Sequence, residues 1–170
     1  MPAWCDDDHG RAGRPALFQP ATLRDPATRA SIADRIESVT PGSRRRWGRM
    51  SAPQMLCHLT DSYQAVIGER AVSTARWPLP RALLTWVVLE APFPWPGNVP
   101  TRPELAQGAG GTPPADFEED RRRLLEALAR FCAATPSARG PHPVLGPLTH
   151  HQWMRWGYLH ADHHLRQFGT

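Results

Sequence analysis

The segment from His150 to Phe168 constrains the fold of this chain more than any other. Its order is His150-His151-Gln152-Trp153-Met154-Arg155-Trp156-Gly157-Tyr158-Leu159-His160-Ala161-Asp162-His163-His164-Leu165-Arg166-Gln167-Phe168. At 3.6 residues per turn this is a helix with two unlike sides. Trp153, Trp156, His160, His164 and Gln167 fall on one stripe, and His151, Arg155, Asp162 and Arg166 on the opposite one. The imidazoles therefore share a face with the indoles and point inward. Residues four apart stack on one side of a helix, so an inward His160-x-x-x-His164 pair can offer two neutral nitrogens to one metal ion. Hydrogen-bonded core histidines give the same spacing, and a third inward histidine from another element is what would favour the metal.

The remaining segments read as partners for this helix. From about Asp25 to Val39, Ile32, Ile36 and Val39 recur at helical spacing until Pro41-Gly42 stops them. A second helix opens at Ser51-Ala52-Pro53-Gln54, where serine caps, proline is tolerated in the first turn and glutamine returns the hydrogen bond. It is expected to run to about Ala71, with Met55, Leu56, Leu59, Tyr63, Val66 and Ile67 as its apolar arc. His58 lies on the flank of that arc, in line with Ser62 and Ala65, whose small side chains leave room above an imidazole. An edge histidine bonded to Asp61 or to solvent is the alternative. Cys57 points roughly a third of a turn away and reads as a packed thiol.

Residues Pro80 to Glu90 form a short third helix, apolar nearly all round and hence expected to be buried. The crossover from Pro92 to Pro114 is too rich in proline for a helix or an inner strand. Loops of this length are functional or disordered, and Trp95 fits either a pocket mouth or a cover over the bundle end. The fourth helix begins at Asp116, with Phe117, Leu124, Leu125, Leu128, Phe131 and Cys132 inward and Glu118, Arg122 and Arg123 in water. A break from Thr135 to Pro147 leads to a second capping box, Thr149 with Gln152. No stretch alternates with period two. The expected fold is therefore all-α, a four-helix bundle with an additional short helix and a long Pro/Gly-rich crossover, over residues 21–170. Residues 1 to 20 lack periodicity and are expected to be a disordered lead.

Composition narrows the function classes. The chain has 170 residues, 41% of them hydrophobic, enough for one domain whose core needs no disulfides. Cys5, Cys57 and Cys132 form no finger or Cys-x-x-Cys pattern, which fits a reducing compartment. The N-terminal residues lack a secretory pattern, and the longest apolar run, Leu83 to Leu89, is too short to span a bilayer. A cytoplasmic protein without a membrane partner is expected. The pI of about 9.6 suggests a polyanion, yet all 20 basic residues are arginine. With abundant Ala, Pro and Gly, that bias points to codon usage rather than to nucleic acid. The cluster Ser43-Arg44-Arg45-Arg46-Trp47-Gly48-Arg49 could touch phosphate, but it is short and isolated. It reads as a solvated loop with Trp47 tucked against the bundle.

His58 on the second helix and His160 with His164 on the last supply three imidazoles from two elements. That pattern resembles the DinB-like (YfiT-like) superfamily, in which one histidine of the second helix joins a His-x-x-x-His of the last at a divalent metal. Several blocks are similar to the bacterial DUF1569 family within it. These are Gln54-Met55-Leu56-Cys57-His58-Leu59, Pro94-Trp95-Pro96-x-x-Val99-Pro100-Thr101, Phe117-Glu118-x-Asp120-Arg121, His142-Pro143-x-x-Gly146-Pro147-Leu148-Thr149 and Asp162-His163-His164-Leu165-Arg166-Gln167-Phe168-Gly169. The resemblance runs from about residue 25 to the C-terminus.

It implies His58, His160 and His164 as metal ligands and an orienting role for Gln167. His163 competes as an i, i+3 partner of His160, or supports the ligands from behind. Leu165 stands where relatives often carry arginine, so Arg166 inherits no role. Three neutral nitrogens leave coordination positions open, and zinc, nickel, cobalt or iron(II) would suit them equally. The implied activity is a metal-dependent transferase in which a low-molecular-weight thiol attacks a small electrophile, with Trp153 and Trp156 lining the pocket. Metal-dependent hydrolysis and a non-catalytic, stress-related binding bundle are the alternatives. The expected partner is a small-molecule substrate, and a homodimer is plausible from relatives.

Overall fold

The computed structural model describes residues 20–170. Cys5 and nearly all of the expected disordered lead lie outside them. Five helices follow one another: α1 Pro26–Ser38, α2 Ala52–Val66, α3 Arg81–Leu89, α4 Phe117–Ala133 and α5 His150–Gln167. Single 3-10 turns occur at Pro103–Leu105 and Pro136–Ala138. The described residues contain no strand, only an isolated bridge between His142 and Gly146. The helical-bundle expectation is met, and no helix among the described residues is long and apolar enough to cross a membrane.

Caps fix the helix starts. Asp25 accepts from the N–H groups of Ala27 and Thr28 at 3.2 and 3.1 Å, satisfying two donors that α1 leaves unpaired. Both capping boxes form, with Ser51 N–H donating to Gln54 Oε1 and Thr149 N–H to Gln152 Oε1, each at 2.9 Å. α2 stops at Val66 rather than near Ala71. The backbone turns left-handed at Gly68, φ +80°, and redirects the chain.

The core forms where α1, α2, α4 and α5 face one another. Ile32, Ile36 and Val39 are buried as their spacing requires, along with Leu56, Leu59, Tyr63, Leu124, Leu128, Phe131 and Leu165. On α4 Leu125, Cys132 and Phe117 are only half-buried, because Ala127 and Asp120 take part of the contact face. The outward positions Glu118, Arg122 and Arg123 are exposed. Nor is α3 enclosed as its composition suggests. Leu84 and Leu89 are buried, whereas Leu83, Trp86 and Val87 are exposed. The short helix leans chiefly on α5, and the described chain supplies no layer outside it.

The crossover is anchored rather than loose. Asp61, buried on α2, receives Arg70 Nη1 at 3.0 Å and both the N–H and the hydroxyl of Thr112, at 2.8 and 2.7 Å. Arg70 also donates to the carbonyls of Glu104 and Gly110. A buried carboxylate is tolerated when a cation and further donors satisfy it. These bonds pull residues 104–112 onto the flank of α2.

Helix α5 approaches α4 closely at Gly157. A methyl group there would sit 2.6 Å from Phe131 Cε1 and 2.9 Å from Leu23 Cδ1, while the Gly157 carbonyl accepts from Tyr63 at 3.0 Å. Alanine gains about 1 kcal/mol of helix propensity, and overpacking a closed core costs about 1–3 kcal/mol. The Gly157→Ala variant is accordingly expected to melt a few degrees lower when followed by circular dichroism. An unchanged or higher midpoint would show that the α4–α5 contact can relax.

Candidate metal centre

Three side chains meet at the end of the bundle under the crossover. His58 of α2 and His164 of α5 are buried, and His160 of α5 is half-buried. Each can contribute one ring nitrogen to a group in which all such atoms lie within 4.8 Å of one another. Ring centroids are 5.3 Å apart for His58 and His160, and 4.9 Å for both remaining pairs.

The outer nitrogens settle which inner ones are bare. His58 Nδ1 lies 3.0 Å from the carbonyl of Leu105, which can only accept, so the proton sits on Nδ1 and Nε2 keeps its lone pair. His164 is fixed through a relay. Gln167 donates its amide Nε2 to the Trp47 carbonyl at 2.8 Å, which turns Oε1 toward His164 Nδ1 at 3.1 Å. The imidazole must donate to that oxygen, leaving His164 Nε2 bare as well. His160 Nε2 faces His58 Nε2 at 3.3 Å, and His160 Nδ1 is buried without a partner. Two bare nitrogens cannot face each other across that gap, so either a proton on His160 or a cation lies between the rings.

The spacing suits the cation. Two nitrogens bound at roughly 2.0–2.1 Å to a tetrahedral metal sit about 3.3–3.4 Å apart. Three neutral imidazoles with their far nitrogens held by an oxygen or shielded from water form the donor set that borderline transition metals prefer.

A model of the DinB superfamily matches residues 26–168, spanning all five helices and the three histidines. The chain belongs to the DinB superfamily. No curated protein and no solved structure matches it.

The surroundings of this DinB-superfamily centre are aromatic. Trp156 lies 4.9 Å and Trp95 6.0 Å from His160, centroid to centroid, and Trp95 is held by its Nε1 donating to the Val88 carbonyl at 2.7 Å. Trp95 thus covers the histidines. Trp153 does not touch the trio; it packs edge-on against Trp156 at 5.4 Å and beside His142 at 5.6 Å. His163 stays outside the converging group, its ring between Trp47 at 5.8 Å and Trp95 at 6.0 Å and 5.0 Å from His164. Gln167 orients His164 rather than reaching into the centre. Cys57 points away beside Asp120, where burial, followed by that acid, pushes its thiol up to about 12. It is packed and unreactive. Two surface clefts, one lined by Thr22, Asp25 and His151 and the other by Arg44, Arg45 and Ser51, contain none of the three histidines.

Sequence reasoning missed two supports. The Leu105 carbonyl is a backbone group, and nothing in residue identity marks it. The Trp47 carbonyl is another, although the tucking of Trp47 against the bundle was readable. The alternative in which Asp61 binds His58 does not hold: Asp61 binds Arg70 and Thr112.

Burial holds all three imidazoles below their usual range, His160 and His164 strongly so, with neighbouring imidazoles lowering both further. They are neutral and able to donate lone pairs at pH 7. In the unfolded chain histidine titrates near 6.5. Below that value the unfolded state takes up protons that the folded rings refuse, so stability is full above about 6.5 and declines as pH falls through it. Urea denaturation of metal-free protein should give lower midpoints at pH 5.5 than at pH 7.5. A flat profile would contradict the burial of neutral rings.

Proposed function

We propose that this DinB-superfamily chain binds one divalent metal ion through His58, His160 and His164 and acts as a metal-dependent transferase. It would join a low-molecular-weight thiol to a small electrophile. The observation that carries the metal reading is the convergence of two bare Nε2 atoms, of His58 and His164, on a third imidazole. The thiol and the finer placement in the DUF1569 family rest on the motif resemblance, chiefly the blocks around His58, His142 and His164.

When bound, a divalent ion with open positions supplies Lewis acidity and stabilises a coordinated thiolate. The chain's own residues do the rest. Leu105 and Gln167 keep the Nδ1–H groups of His58 and His164 occupied, so neither ring can flip its tautomer and withdraw its lone pair. Trp95 and Trp156 flank His160 and thin the water around the reacting end of the substrate, which strengthens polar interactions there. Free Cys57 and Cys132 accord with a reducing, cytoplasmic setting. Hydrolysis without a thiol is the competing chemistry, since an open metal position also accommodates water.

Elemental analysis of protein purified without an affinity tag should find about one transition-metal ion per chain. Single His58→Ala, His160→Ala and His164→Ala variants should each lose at least roughly 100-fold in zinc affinity while His163→Ala retains it. Absence of metal above trace, or retention by all three variants, would leave only the fold. Conjugation of a chlorodinitrobenzene by holo-protein should require added thiol. Turnover of ester or amide substrates without thiol would move the assignment to a hydrolase.

A further inference from the structure

One more imidazole near the centre has its proton fixed in place. His142 opens a tight turn in which its Nδ1 accepts from the N–H groups of Val144 at 3.1 Å and Leu145 at 3.0 Å. Its main chain exchanges hydrogen bonds with Gly146 in both directions, at 2.8 and 2.9 Å. Gly146 takes φ +74°, a conformation that side chains resist. A ring nitrogen receiving two N–H groups must offer a lone pair, so the proton of neutral His142 sits on Nε2. Burial pushes the ring down to about 4, and this state persists across neutral pH.

The donor stands close to the three histidines. The His142 ring lies against Trp153 at 5.6 Å and Trp156 at 5.4 Å, and Trp156 lies against His160 at 4.9 Å. A single indole separates His142 from the centre. Among the described residues Nε2 has no acceptor, and His142 as a whole is only half-buried. A fixed N–H donor in an aromatic wall, with nothing among the described residues to receive it, is suited to a ligand oxygen.

Resting on the metal reading above, we propose that His142 is a positioning residue. Its Nε2–H donates to a carboxylate or carbonyl oxygen of the small molecule whose other end is held at His58, His160 and His164. The ring cannot serve as a proton shuttle, because Nδ1 is committed to the turn. Its contribution is selection: an anionic oxygen makes a charge-assisted bond that a hydroxyl at the same place matches poorly.

The test uses full-length protein loaded with Co(II), whose thiolate-to-metal absorption reports thiol binding directly. Mercaptocarboxylates of two to four carbons are titrated beside mercaptoalcohols of matching length. Wild-type protein should bind at least one acid about tenfold more tightly than its alcohol. His142→Asn should abolish that preference and leave Co(II) affinity and melting temperature close to wild type, because the asparagine oxygen can accept the same two backbone N–H groups. His142→Asp, with an acceptor in place of the donor, should reverse the preference. Equal affinities for acids and alcohols at every length, or a preference that survives in both variants, would overturn the role of His142 alone. Failure of Co(II) to bind would overturn the metal reading and this inference with it.

Discussion

Everything at the end of this bundle depends on two imidazoles being denied a choice of tautomer. A neutral histidine has one proton and two nitrogens, and whichever nitrogen is occupied from behind leaves the other to act. In this chain a carbonyl occupies His58 and an amide oxygen occupies His164, so the Nε2 lone pair of each is left free for the shared centre. The two loops that supply these groups are therefore parts of the centre. The crossover bearing Leu105 is fastened by the Asp61–Arg70–Thr112 knot, and the segment bearing Trp47 is fastened by Gln167.

The aromatic residues serve the same end by another route. Trp95 and Trp156 lie against His160, and Trp47 against the neighbouring His163, with surface that excludes water and brings few donors or acceptors. In such surroundings the charged form of an imidazole is costly, and neutrality at physiological pH follows without a specific partner for every ring. The unpartnered Nδ1 of His160 shows how far the chain relies on enclosure at its third histidine.

How much of this was legible beforehand varied with the kind of signal. Helical periodicity and capping chemistry are local, so α1, α4, α5 and both capping boxes could be read from residue order alone. The inward stripe of α5 was legible because Trp153, Trp156, His160 and His164 repeat at a spacing that only a helix aligns. His58 needed more, since its flank position fitted an edge histidine equally well, and the resemblance to DinB-like proteins tipped the reading. The end of α2 was misjudged because residues beyond Gly68 suit a helix, while the buried Asp61 draws Arg70 away to the crossover. Composition also misled at α3: Leu83, Trp86 and Val87 look like core and are exposed. Apolar character states what a residue prefers, not whether another element is present to satisfy it.

The contact between His58 and Leu105 uses main-chain atoms on one side. Any amino acid has that carbonyl, so side-chain identity at position 105 carries no record of its duty. Drift at this position can leave the centre intact, whereas adding or deleting one residue between Arg102 and Thr112 would shift the oxygen out of reach. The centre depends on the length and path of the loop more than on its spelling. A position indispensable in space can therefore look expendable on paper.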